Sequence, residues 1–171
     1  MSVKLYKHEC VILGLCEIFY HKQYTQLTRN AIQNMLYLLS RKNVRVKAYS
    51  YVCSANGPYS AELDADLIEL DEKRELIVDF YDSELTVHAV SATYLAAAEC
   101  VREMLQFDKA QNVMTWAEML ATLSCLTANE QVNGNSVVVC NQYVMTHANA
   151  DYEAVKRAWQ LLEDAKMTFM Q

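Results

Sequence analysis

Apolar residues crowd most sides of residues 5–20, where Leu5, Val11, Ile12, Leu15 and Phe19 fall in one short stretch. A helix that is apolar all round is a buried helix rather than an amphipathic one. In "TQLTRNAIQNMLYLLSRKN", Ile32, Met35, Leu36 and Leu39 recur at helical spacing. Thr25 or Thr28 supplies an N-cap oxygen, Arg41 and Lys42 suit the negative end of the helix dipole, and Asn43 supplies a stop. Beyond it Val44, Val46 and Ala48 alternate with Arg45, Lys47 and Tyr49, so "VRVKAYSYVC", residues 44–53, is predicted to be a strand or extended segment with one wet face.

The stretch "SANGPYSAELDADL" holds the chain's single proline and one of its three glycines. Gly57 tolerates backbone angles that other residues do not, Pro58 lacks an N–H, and Ser60 is a good N-cap. Glu62 and Asp64 stand in the first turn, where acids are favoured, and Leu63, Leu67 and Leu70 make one apolar stripe, predicting a helix over 61–73. "ELIVDFYDSELTVHAV" predicts two short strands, about 76–81 and 85–90, around an Asp82-Ser83 turn. From Ser91 an alanine-rich run predicts a helix. Thr115 and Glu118 form a T-x-x-E capping box before the next helix, Ser136 to Val139 predict a strand, and a last helix begins near Asn149 or Asp151 with Val155, Trp159 and Leu162 inward. The fold class is therefore mainly α with a small β component, α+β. Its N-terminal part follows the winged-helix order, with 61–73 in the recognition-helix slot and 76–90 as the wing.

A chain of 171 residues, 53 % hydrophobic, builds a core without staples, and three glycines with one proline argue against a loop-rich all-β fold. The expected organisation is a winged-helix-like unit over 1–107 and a helical extension over 108–171 packed on it, or one domain over 1–171. No run of about 18 uncharged apolar residues predicts a membrane span. The N-terminal apolar run lacks a small-x-small cleavage site and is broken by Glu9 and Glu17, so a buried first helix is expected rather than an export signal. Cys10, Cys16, Cys53, Cys100, Cys125 and Cys140 form no CxxC pair and are expected to be reduced, buried small hydrophobes, which implies a cytoplasmic address.

"NMLYLL", then an extended segment, then "GPYS" and L-x-x-D-L-x-x-L resemble, in their order, the SocA-like and YwgA-like antitoxin and phage-associated proteins with a Panacea domain. The matching positions are Leu36, Tyr37, Gly57, Pro58, Tyr59, Ser60, Leu63, Asp66, Leu67 and Leu70, within residues 25–90. The resemblance implies a small cytoplasmic helical domain, often encoded beside toxins or in mobile elements, with a protein-binding role and no catalytic residues.

Charge decides between partners. Residues 1–50 carry eight Lys or Arg against two acids, whereas 62–84 carry ten acids against Lys73 and Arg74. A recognition slot bearing Glu62, Asp64, Asp66, Glu69, Asp71 and Glu72 repels a duplex, because DNA affinity comes largely from cations against phosphate. The expected function is a non-enzymatic protein-interaction module, an antitoxin or phage or mobile-element accessory protein that binds a basic partner such as a toxin or host factor. The expected contact residues are Tyr51, Gly57, Pro58, Tyr59, Glu62, Asp66, Glu69, Asp71 and Glu72. The alternative is a winged-helix transcription regulator holding DNA through Arg41, Lys42, Arg45 and Lys47. A thiol enzyme built on Cys53 and His88 is disfavoured by the acidic neighbourhood, which does not lower a thiol pKa. Scattered His8, His21, His88 and His147 predict no metal site, the lack of a Gly-rich loop predicts no phosphate cofactor, and a homodimer is compatible with the sequence.

Overall fold

The computed structural model describes residues 5–20, 27–54, 56–73, 92–128 and 135–168. The described elements, in chain order, are α1 (Lys7–Tyr20), α2 (Arg29–Arg41), β1 (Val52–Ser54), β2 (Gly57–Tyr59), α3 (Ala61–Glu72), α4 (Ala92–Met104), a 3₁₀ turn (Phe107–Lys109), α5 (Val113–Ala128), α6 (Ser136–Thr146) and α7 (Tyr152–Asp164). Among the described residues the molecule is mainly α with a small β component, the α+β class that the sequence pattern predicts, but that component is an antiparallel hairpin, β1–β2, at a place where the pattern predicts only a turn after an extended segment. The expected wing over 76–90 lies outside the described residues.

Two helices buried on nearly every side make the centre. Every residue of α2 from Ala31 to Leu39 is buried, and so is α5 from Met119 to Thr127. The two pack on each other more extensively than any other pair of described elements. The hairpin lies across α5, α6 and α7 pack together against it, and α1 packs on α4. A single buried cluster runs from Val11 through Phe19, Leu63, Leu67 and Phe107 to Leu162 and Met167, drawing on residues from both sides of position 107.

Side-chain oxygens set the helix starts. Thr28 caps α2, Ser60 caps α3 and Asp151 caps α7, each accepting from a first-turn N–H. The Thr115–Glu118 capping box does not form. The helix begins earlier, at Val113, and Asn112 Oδ1 accepts from Thr115 N at 3.1 Å, so Thr115 is already inside the first turn. Residues 136–139 are not a strand either: Asn135 caps α6 by accepting from Val137 N, and Val139 and Cys140 bury one helical face. A cap and a packing face override the β-preference of three consecutive valines.

The strand or extended segment predicted over 44–53 is a regular strand only at its end, from Val52. Val44 is used instead to close α2: its N–H returns to the Leu39 carbonyl at 3.0 Å while Asn43, at φ +61°, bonds Ser40 at 3.1 Å. That is a Schellman ending with asparagine in the left-handed position. The chain then runs irregularly to β1, whose register sets Val52 opposite Tyr59, Cys53 opposite Pro58 and Ser54 opposite Gly57.

The thiols differ from expectation. Cys53 and Cys125 form a disulfide that ties β1 to α5, their Cα atoms 5.3 Å apart. That separation lies within bridging range, and nothing in a sequence spacing of 72 announces it. Of the free thiols Cys16 and Cys140 are buried, Cys10 is half-buried and Cys100 is exposed.

Candidate interaction surface

The Gly57-Pro58-Tyr59-Ser60 stretch is an anchored corner. Gly57 sits at φ +102°, and a Cβ there would stand 3.1 Å from Thr122 Oγ1 and 3.2 Å from Asn34 Oδ1. Both the backbone angle and the space demand glycine. Gly57 and Pro58 are buried, Pro58 facing Cys53 across the hairpin. The Gln33 side chain then grips both backbone groups of Ser60, donating to its carbonyl at 2.9 Å and accepting from its N–H at 3.0 Å. Ser60 Oγ caps α3, so one buried amide fixes where that helix starts and how it leaves the hairpin.

Of the aromatic candidates only Tyr59 faces solvent, 47 % exposed beside its cross-strand partner Val52 at 71 %. Its hydroxyl donates to Asp64 at 3.3 Å, which lays the ring over the first turn of α3. Tyr51 points inward, edge-on to Tyr37 with ring centres 5.2 Å apart. Burial pushes the Tyr51 phenol well above its ordinary pKa.

The carboxylates of α3 divide into two sets. Asp66 is largely covered: it takes Lys47 Nζ at 2.9 Å and the Tyr49 hydroxyl at 2.7 Å, with His8 Nε2 at 3.7 Å. Burial alone would raise its pKa, but the hydrogen bonds from Lys47 and Tyr49 and the charges of Lys47 and His8 hold it below the usual aspartate value. Arg29 spans Asp64 at 3.3 Å and Asp71 at 3.9 Å. Lys73 bridges Glu69 at 2.9 Å and the buried Glu9 of α1 at 2.7 Å. These pairs dock α3 onto the body and cancel much of the negative field that a residue count implies. Glu62, Ala65, Ile68, Glu69 and Glu72 remain on the exposed side, with Ile68 44 % exposed. Glu62 also accepts from Ser50 N–H at 3.0 Å.

The basic candidates serve the C-terminal segment more than a surface. Lys42 Nζ donates to the Ala165 carbonyl at 2.9 Å and Arg41 to Met167 at 3.4 Å, while Lys47 is held by Asp66. Arg45 alone among the four is exposed with no described acceptor. Cys53 is not a free thiol, and His88 lies outside the described residues.

The sequence does not mark Arg29, Gln33 and Lys47 as the partners that shape this surface, because each reaches a residue 19 to 42 positions away. Nor does it mark Asn34 and Glu118 as neighbours in space, although the i, i+4 pair Asn30 and Asn34 on one side of α2 is an available signal. Among the described residues no group of three or more His, Cys, Asp or Glu is placed to hold a metal ion, and no helix is long and apolar enough to cross a membrane. Comparison with protein-family models, curated proteins and solved structures finds nothing that matches the chain.

Proposed function

We propose that the chain is a non-enzymatic protein-interaction module, of the antitoxin or mobile-element accessory kind that the GPYS-centred resemblance implies. It binds a protein partner stoichiometrically through the outer face of the hairpin and of α3. The observation that carries this reading is the pairing of exposed apolar side chains with unneutralised acids on one supported corner. Val52 and Tyr59 stand side by side, Tyr59 is tied to Asp64, and Ile68 lies one turn beyond it among Glu62 and Glu72. Interfaces favour tyrosine at their centre and charge at their rim. The residual acid favours a basic partner and speeds its approach more than it adds affinity.

Buried Gly57 and Pro58 act in this reading as supports and Tyr59 as the contact. A cytoplasmic address belongs to the same reading through the resemblance, and the Cys53–Cys125 bridge is the feature that weighs against it.

Affinity capture with the intact chain, repeated with Tyr59→Ala, Ile68→Glu and Glu72→Lys, tests the reading. A stoichiometric protein lost with Tyr59→Ala and Ile68→Glu, while all variants keep the wild-type Tm, supports it. A partner indifferent to all three changes, or salt-sensitive binding of mixed DNA at comparable affinity, overturns it.

A further inference from the structure

Between α2, the hairpin and the first turns of α5 lies a cleft of about 240 Å³. Asn30, Asn34 and Asn56 line it together with Tyr59 and Glu118. Asn34 is the unusual member. It is only 6 % exposed, yet its side-chain amide makes no hydrogen bond among the described residues. Its Oδ1 stands over Gly57, and beneath the same point Thr122 Oγ1 is wholly buried and also unpartnered. The Asn34 amide is open to the cleft and available to hydrogen-bond an occupant there, while Thr122 Oγ1 is the buried group beside it that lacks a partner.

The chemistry narrows the occupant. A side-chain amide offers a donor and an acceptor side by side, which matches a peptide group. The volume falls below the roughly 300–1,000 Å³ of sites that enclose a whole small molecule, so the cleft suits one part of a larger ligand. Its lining holds one carboxylate, Glu118, and no Lys or Arg. Glu118 is 45 % exposed, and the nearest cationic candidate, His147 Nε2, is 3.7 Å away.

We infer that this cleft seats an extended segment of the protein partner centred on a Lys or Arg. The main-chain amide of that segment pairs with Asn34, and its cation meets Glu118. The inference rests on the interaction reading above and adds the recognition element to it.

The test uses capped pentapeptides, Ala-Ala-Lys-Ala-Ala with arginine, norleucine and glutamate replacing lysine, titrated into the intact ¹⁵N-labelled chain. The expected result is a saturable shift of the Asn34 side-chain amide signals with the lysine and arginine peptides, in the millimolar range, and binding roughly tenfold weaker for norleucine. Glu118→Gln should remove the preference for lysine over norleucine. Asn34→Leu should abolish binding at an unchanged or higher Tm, since an unpartnered amide gives way to an apolar group. A clearly lowered Tm for Asn34→Leu, no shift with any peptide, or free lysine outcompeting the capped peptide each overturns the inference. If a captured partner is indifferent to Asn34→Leu but lost with Tyr59→Ala, the cleft assignment fails while the interaction reading stands. Peptide binding without any partner at the hairpin leaves the cleft assignment standing and sinks the interaction reading.

Discussion

The side-chain amide of Gln33 closes on both main-chain groups of Ser60, giving a hydrogen bond to its carbonyl and taking one from its N–H, with all four atoms away from water. Gln33 is 2 % exposed and Ser60 1 %. Truncating the amide orphans two buried backbone groups, at about 1–3 kcal/mol each. Gln33→Ala is therefore expected to cost roughly 2–4 kcal/mol, against about 1 kcal/mol for loss of the cap in Ser60→Ala. Urea unfolding of the two variants checks this. Equal midpoints would mean that the amide does not hold the corner.

The Lys73–Glu9 contact makes a different demand. Glu9 is fully buried and accepts from Lys73 Nζ and from Tyr6 N–H, both at 2.7 Å. Lys73→Met leaves a buried carboxylate without its cation, at about 3–5 kcal/mol, whereas the double change Glu9→Gln with Lys73→Met should recover most of that loss. Burial alone would lower the Lys73 pKa, but its hydrogen bonds to Glu9 and Glu69 carry it above the ordinary 10.5. A raised cation stabilises fully below its unfolded value and loses that contribution as pH climbs through the folded one. The difference in unfolding free energy between wild type and Lys73→Met should thus be flat at neutral pH and shrink above about pH 10.5. A difference that instead fell between pH 7 and 9 would contradict the pairing.

What the sequence makes legible is local. Thr28, Ser60 and Asp151 are caps because a hydroxyl or carboxylate precedes an apolar period, and both signals sit within a few residues. Gly57 stands out because its neighbours are so poor in glycine. The valines at 137–139 mislead because β-branching speaks for itself, while Asn135 and the face that Val139 and Cys140 bury against α7 act from outside the run. The acids of α3 read as a free negative surface because Arg29 and Lys47 reach them only once α2 and the 44–51 segment are folded against them. Tyr59 is exposed and could be named as a candidate contact from its type. That Gly57 and Pro58 are buried beneath it could not, because their cover comes from α2 and α5.

The Cys53–Cys125 bridge offers a third check. A closed loop spanning 72 residues restricts the unfolded chain by roughly 4 kcal/mol in the loop-entropy view. Reduction, or Cys53→Ser with Cys125→Ser, should lower the unfolding midpoint by several degrees, with hydrogen exchange rising first in β1 and β2. A thiol count of the denatured, unreduced chain should give four free cysteines. Six would mean that the bridge is absent in the isolated protein.

Three helix ends carry the cost of a chain almost without glycine. Asn43, Gln106 and Lys166 hold φ values of +61°, +55° and +56°, each just past a helix end. After α7, Lys166 N–H bonds Glu163 and Met167 N–H bonds Leu162 at 2.8 Å, the same ending that Asn43 gives α2. An L-residue in this region sacrifices roughly 1–2 kcal/mol, of which glycine returns part because its own unfolded chain is freer. Gln106→Gly and Lys166→Gly are each expected to stabilise by about 1 kcal/mol, or a Tm rise of roughly 2–4 °C for a chain of this size. Asn43→Gly should gain less, since asparagine already tolerates the conformation. Gly57→Ala should move the other way, because its φ of +102° and the oxygens 3.1 and 3.2 Å from the new methyl both oppose a side chain. Calorimetry of the four variants separates these cases. A loss of stability on Lys166→Gly, or a gain on Gly57→Ala, would show that the left-handed endings are not where this fold stores its strain.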